Sequence, residues 1–144
     1  MRANFDLERF VAAQAPVYAA ALAELRAGHK RTHWMWFVFP QLAGLGASPT
    51  AQAYAIHSRE EAEAHLRHPV LGPRLCEAAA AALTSGRSRA EIFGSPDDLK
   101  FRSSITLFEA VAPSEAIFRE VLDRLCDGVR DPRTISGLAR LWGV

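Results

Sequence analysis

The sequence predicts an all-α protein, one compact domain over residues 1–144 built from about seven to eight short helices. Three observations carry that expectation. Apolar residues recur three and four positions apart along most of the chain, the period of a half-buried helix. Ser, Asp, Pro and Gly stand where helices of ordinary length would begin and stop. No alternating apolar–polar run is bounded by a hairpin turn, so strand signals are scarce.

Asp6 is placed to cap a first helix with Leu7, Phe10 and Val11 on one face. Pro16 would cost a hydrogen bond in mid-helix, so it is read as starting a second one. That helix runs to Ala27, with Tyr18, Ala21, Leu22 and Leu25 as its stripe and Gly28 as its stop. Ser48-Pro49 opens a helix through Tyr54 and Ile56. Ser58-Arg59-Glu60-Glu61 has the form of a capping box, and the helix it opens ends at His68-Pro69. Another helix runs from about Gly72 to Leu83, before Gly86. A second capping box, Ser88-Arg89-Ala90-Glu91, opens a short turn closed by Gly94. Ser95-Pro96-Asp97-Asp98 then starts a longer helix, reaching about Val111, with two acids complementing its positive end. Pro113 separates it from a helix holding Ile117, Val121, Leu122 and Leu125, and Asp131-Pro132 opens a terminal helix with Ile135, Leu138 and Leu141.

Composition bounds the function classes. With 49% hydrophobic and 23% charged residues, 144 residues suffice for a self-supporting core. The formal net charge of +1 gives no general signal for nucleic acid or an anionic membrane. Arginine far outnumbers lysine, present only as Lys30 and Lys100, which with the abundant alanine reads as genomic base bias. The stretch Met1 to Asp6 has no apolar run of signal-peptide length, and Trp34 to Phe39 is far too short to span a bilayer. Cys76 and Cys126 read as reduced, buried thiols. The expected compartment is the cytoplasm; no cofactor is implied, and the oligomeric state stays open.

Two segments could carry chemistry. The first is Lys30-Arg31-Thr32-His33-Trp34-Met35-Trp36-Phe37-Val38-Phe39-Pro40-Gln41, where indoles and phenylalanines follow basic residues. A flat ring stacked on Trp34 or Trp36, with an anion near Lys30 and Arg31, would use both features. The same run reads equally as the core's central element, as strand or as helix. The second is Asp97 to Phe108. At helical spacing Lys100, Ser103, Ser104 and Leu107 share a face beside that of Phe101, Ile105 and Phe108. Lys100 would be a point charge and the serines donors to an anion; the competing reading is hydroxyls bonded back to the preceding turn. Lys100 activating Ser104 as a nucleophile is a third reading, without an oxyanion site to support it. Gln14 continues the stripe of the first helix, so its amide points inward to backbone, water or ligand. Tyr54 is a ring whose hydroxyl could reach a site or the surface. His65 and His68 lack further ligands at metal spacing, so no metal site is expected. Gly44-Leu45-Gly46 matches no phosphate-binding fingerprint and reads as a loop. Adjacent Asp97 and Asp98 read as first-turn acids.

At His33-Trp34-Met35-Trp36-Phe37-Val38-Phe39-Pro40-Gln41 the chain resembles the DUF1810 family of small bacterial and fungal proteins. Arg9-Phe10-Val11 with Gln14, Tyr54-Ala55-Ile56, His68-Pro69-Val70-Leu71-Gly72 and Asp97-Asp98-Leu99-Lys100-Phe101-Arg102-Ser103-Ser104 extend the likeness over nearly the whole chain. The resemblance implies a mainly helical fold and brings no assigned catalytic residues. Some relatives carry the label calpastatin, which does not fit, because inhibitors of that kind are long and disordered.

The expectation for function is a pocket between the His33–Gln41 segment and the Asp97–Phe108 helix that binds or processes a small anionic, nucleotide-like ligand. His33 would serve as acid–base group. Gln14, Lys30, Trp34, Trp36, Gln41, Tyr54, Lys100, Arg102, Ser103 and Ser104 would bind. In helical class and size the chain is loosely similar to the NADAR domains, which act on ADP-ribose derivatives. The alternative is a protein-interaction or regulatory domain without chemistry, with those residues dispersed and an exposed apolar patch elsewhere.

Overall fold

The computed structural model describes residues 5–142; Met1 to Asn4, part of the segment read for a leader, lie outside the described residues. Among the described residues the chain forms ten helices, seven of them of seven residues or more. These are α1 (Glu8–Gln14), α2 (Tyr18–Ala27), α3 (Met35–Val38), α4 (Pro49–Ala53), α5 (Arg59–Arg67), α6 (Leu71–Thr84), α7 (Arg89–Phe93), α8 (Asp97–Val111), α9 (Ala116–Leu125) and α10 (Pro132–Trp142). Among the described residues the β structure amounts to one isolated parallel bridge, Leu42 to Ile56. The fold is all-α, and no described helix is long and apolar enough to cross a membrane.

Where the cap is a short polar side chain, helix starts follow the sequence. Ser48 Oγ accepts from Ala51 N at 3.1 Å, and Asp131 Oδ2 from Thr134 N at 3.0 Å. Ser88 and Glu91 form the full reciprocal box. The Ser58 box is only half built. Ser58 Oγ accepts from Glu61 N, but the Glu61 carboxylate turns away to His57 N at 2.9 Å and Arg9 Nη2 at 2.8 Å. Two caps are corrected outright. The cap position of α1 is Leu7 and that of α8 is Pro96, neither with a side-chain cap bond, so Asp6 and Ser95 do not cap; the Ser95–Pro96 bond is cis. α2 begins at Tyr18, two residues after Pro16, and α4 stops at Ala53, releasing Ile56 to the bridge.

α6 lies centrally against α2, α5 and α9. Ala78, Ala79 and Ala82 are fully buried on it, and such small side chains let neighbouring helices approach closely. α8 crosses α9 and also carries α5, α7 and α10, while α3 fits between α1, α6 and α8. The core is aromatic where α3, α7 and α8 meet: Phe39 stands edge-on to Phe101 (4.9 Å, 90°), and Phe93 stacks on Phe101 (4.5 Å, 26°). Arg9 ties α1 to the chain after α4, donating to the carbonyls of Ala53 and Ala55 as well as to Glu61. Cys126 is buried and Cys76 half-buried; both are free thiols.

Candidate functional site

The tryptophan segment is set in place by a carboxylate. Gly28 ends α2 in the left-handed region (φ 76°), and a Cβ there would lie 2.3 Å from Arg87 Cγ. This stop turns the chain back over its own helix, where Glu24 receives it. Glu24 Oε1 accepts from Arg31 N (2.7 Å), Thr32 N (3.0 Å) and Trp34 Nε1 (2.9 Å), and Oε2 from Thr32 Oγ1 (2.6 Å). Burial pushes the Glu24 carboxyl up, but hydrogen bonds from Thr32, Arg31 and Trp34 outweigh it and hold the group at about 2. On the other side, Gln14 Nε2 donates to Phe37 O at 2.7 Å while its Oε1 accepts from Arg74 Nη1 at 3.3 Å.

Between these two supports the segment makes the single turn α3. Trp34 precedes α3 with a non-helical backbone (φ −150°, ψ 5°) and Trp36 lies within the turn, and the two indoles end in different surroundings. Trp34 is 1% exposed, one of the largest core side chains, with its indole N–H spent on Glu24. Trp36 is half-buried at the surface. Gly46 permits this: a Cβ there would come within 2.9 Å of Trp36 Cη2 and 2.7 Å of Ala51 Cβ.

Two hollows flank Trp36. The first, about 360 Å³, is lined by Lys30, His33, Trp34, Met35, Trp36, Phe37, Ser48, Thr50, Asp97 and Lys100. The second, about 410 Å³, is lined by Trp36, Gln41, Leu45, Gly46, Pro96, Leu99, Lys100, Arg102, Ser103, Asp131, Pro132 and Arg133. Trp36 and Lys100 belong to both and divide them, with Lys100 Nζ 5.0 Å from the indole centroid. The notable electrostatic feature of the first hollow is a shared carboxylate. Asp97 Oδ2 meets Lys30 Nζ at 2.9 Å, and Asp97 Oδ1 meets Lys100 Nζ at 3.1 Å. Burial raises the Asp97 carboxyl, but the hydrogen bonds and charges of both lysines prevail and hold it below its ordinary range.

The structure therefore brings His33, Lys30, Trp36, Gln41, Lys100, Arg102 and Ser103 around one pair of hollows, and it leaves other expected residues out. His33 is exposed on the loop at the rim of the first hollow. Lys30 is not a free anion holder: it is engaged by Asp97, by Thr32 O at 2.7 Å and by the face of Trp34, and its side chain is only 8% exposed. Trp34 reaches the first hollow but offers no open face, so stacking falls to Trp36 alone. Ser103 lines the second hollow with its hydroxyl 3.0 Å from both Leu99 O and Asp131 Oδ2, in a structural role. Ser104 is fully buried, away from both hollows, and its hydroxyl has no partner among the described residues, so no Lys100–Ser104 nucleophile pair is built. Gln14 and Tyr54 line neither hollow. Gln14 braces Phe37, and Tyr54 stands edge-on to Phe10 (5.7 Å) and Phe37 (4.8 Å).

His65 and His68 are likewise separated in role. His65 is fully buried beside Phe10 and Phe108, whereas His68 Nδ1 accepts from Val70 N and Leu71 N. Among the described residues no group of three His, Cys, Asp or Glu could hold a metal ion. Sequence reasoning missed Glu24, Asp131 and Arg133. The signal for Glu24 was its place four residues before a helix-ending glycine, and that for Arg133 was its place two residues after the Asp131 cap.

With the geometry in view, comparison with known proteins places the chain. A family model described as "Protein of unknown function (DUF1810)" matches residues 4–138. Among solved structures, the chain is similar to the conserved hypothetical protein Rv1873 from Mycobacterium tuberculosis, whose crystal structure was determined at 1.38 Å. The two are 55% identical with a TM-score of 0.89, over 92% of this chain and 95% of the other. No curated protein matches the chain.

Proposed function

The chain belongs to the DUF1810 family, and from the geometry of its two hollows we propose that it binds, or processes, a small anionic, nucleotide-like molecule. The observation that carries the reading is the meeting of Trp36 and Lys100. They come from segments more than sixty residues apart in the sequence, yet Lys100 Nζ lies 5.0 Å from the Trp36 indole, and both side chains line both hollows. A half-exposed indole flanked by fixed cations is suited to a flat ring carrying negative charge. Hollows of this size fall within the range of small-ligand sites. ADP-ribose derivatives, suggested by the likeness to NADAR domains, combine such a ring with such charge.

His33, at the rim of the first hollow, is placed to carry a proton if chemistry follows binding. A pure interaction domain is disfavoured by the convergence of Lys30, His33, Trp36, Lys100 and Asp97 on one hollow. Both cysteines are free thiols, which supports a reducing compartment such as the cytoplasm, and the Mycobacterium relative supports a bacterial source.

The test is ligand-induced stabilisation. ADP and ADP-ribose at millimolar concentration are expected to raise Tm, since a ligand that binds the folded state must stabilise it. Trp36→Ala is expected to abolish the gain, while His33→Gln keeps binding. No stabilisation by either compound, or full stabilisation of the Trp36→Ala protein, overturns the reading.

A further inference from the structure

The first hollow already neutralises much of its own charge, because Asp97 takes both lysines. The second does not. Arg102 and Arg133 line it, and neither has a carboxylate within ion-pair reach among the described residues. The partner observed for the Arg133 side chain is the Leu45 carbonyl, with Nη2 at 3.3 Å. Arg102 Nε is buried without a partner among the described residues. So is Gln41 Nε2, on a residue only 3% exposed that also lines this hollow. The Gln41 main chain is fixed by Ile56 N donating to its carbonyl at 2.8 Å.

Among the described residues the one carboxylate lining this hollow is Asp131, and it is held in place through one of its two oxygens. Its Oδ2 accepts from Ser103 Oγ (3.0 Å), Thr134 N (3.0 Å) and Thr134 Oγ1 (2.5 Å), and its main-chain N–H donates to Thr106 Oγ1. Donors therefore predominate on this wall: two guanidiniums and the Gln41 Nε2 amide, with Lys100, paired to Asp97, alongside. A buried donor without an acceptor is costly, and donors gathered in excess of acceptors fit an anion.

Resting on the reading above, we propose that the second hollow is the phosphate subsite of the ligand, formed by Gln41, Arg102 and Arg133, with the ring on Trp36 beyond Lys100. A phosphate suits it better than a carboxylate, which presents two oxygens in a plane to donors arriving from three residues. A phosphate offers three oxygens splayed around one centre and twice the charge.

The test uses the full chain with inorganic phosphate, acetate, adenosine and ADP as probes at matched ionic strength, read by thermal shift and calorimetric titration. Phosphate is expected to stabilise the wild type where acetate does not. Arg133→Gln changes an exposed side chain and preserves the fold; it should weaken phosphate and ADP roughly tenfold to a hundredfold and leave adenosine unchanged. Gln41→Leu, which removes an orphaned donor at similar volume, should weaken phosphate without lowering Tm. Equal phosphate affinity in wild type, Arg133→Gln and Gln41→Leu overturns the subsite, as does acetate binding as tightly as phosphate or no phosphate binding at all. The ring reading then still stands if Trp36→Ala weakens adenosine and ADP. Phosphate held through Arg133 with ADP indifferent to Trp36→Ala gives the converse: the subsite stands and the ring reading falls.

Discussion

Lowering the pH from 7.5 to 5 is expected to destabilise the protein through one buried imidazole. His65 is fully buried, its ring 5.1 Å from Phe10 at 87° and 5.5 Å from Phe108 at 39°, and neither ring nitrogen has a hydrogen-bond partner among the described residues. Burial is the main cause that drives its pKa down to about 3, with the positive charges of His68 and Arg9 adding to it. Glu61 neutralises Arg9 at 2.8 Å but gives His65 no hydrogen bond. The folded pKa lies below the ordinary 6.5 of the unfolded chain. Below about pH 6.5 the unfolded chain therefore takes up a proton that the folded one refuses, and stability falls with pH until it levels near 3. At pH 5 the loss is about 2 kcal/mol, and at the acid limit about 5 kcal/mol. The former corresponds to a fall in Tm of about 4–8 °C for a chain of this size.

Denaturant or thermal unfolding at pH 7.5, 6.5, 5.5 and 5 reads this directly, with His65→Leu as the control. Leucine fills the aromatic cage without a titrating group, so its stability should be flat between pH 6.5 and 5, where wild type slopes. Glu24 contributes an acid loss of its own, but only below about 4.5, since its pKa is lowered from 4.5 to about 2. The two windows separate. A His65→Leu protein that keeps the wild-type slope above pH 5, or a wild type without one, refutes the assignment.

Glu24→Gln removes the carboxylate that receives the Arg31–Trp34 turn; a stability loss of about 1–3 kcal/mol and a shifted Trp34 fluorescence are expected, with Glu24→Ala at least as severe. Asp97→Asn strips the shared counter-charge from Lys30 and Lys100, so denaturation should report a loss of about 1–3 kcal/mol, while titration with inorganic phosphate should find tighter binding because the site gains positive charge. Asp97 is held below its ordinary pKa, so its contribution is present above the ordinary carboxylate value and fades as the pH falls through the folded one. Ser104→Ala removes a buried hydroxyl that has no partner and lines neither hollow; stability within about 1 kcal/mol of wild type, and undiminished ligand response, are expected from the same measurements.

What was legible in the sequence was whatever is local. The caps at Ser48, Ser88 and Asp131 work through a side chain and an amide three residues on, a contact that any sequence window contains. Asp6 and Ser95 have the same composition, but other groups serve those helix starts: Arg9 Nη1 takes the Asp6 carbonyl, and Asp98 N bonds the Gly94 carbonyl. The pairing of the two chemical segments was legible because each combined bulk with cations, but the face each residue presents was not. α8 is buried around most of its circumference, so a stripe of Lys100, Ser103 and Ser104 does not mark a solvent face; Ser103 turns to Asp131 and Ser104 to the core. The positions of Glu24 and Arg133 relative to Gly28 and Asp131 could be read, but the groups they bind, Trp34 Nε1 and Leu45 O, reach them only once the chain has folded back.

The ambiguity of the tryptophan motif has a physical resolution. A run dense in indole and phenyl rings reads as core, because burying one such ring is worth several kcal/mol, and also as a ligand wall, because its faces stack. In a strand, Trp34 and Trp36 would share one face, and both would be sealed or both exposed. The switch from a non-helical backbone at Trp34 (φ −150°, ψ 5°) to the turn of α3 breaks that symmetry, so the segment anchors itself with one indole and displays the other. The anchor needs its N–H satisfied in the interior, which Glu24 supplies. The displayed ring needs a groove edge, which Gly46 permits by letting the backbone approach closer than any Cβ would. Lys30 and Lys100 then lie about 5 Å from the two indoles, one each, and Asp97 bridges the lysines. A single carboxylate, Asp97, thus links the lysine over the buried indole to the lysine over the half-buried one, on the wall of the first hollow.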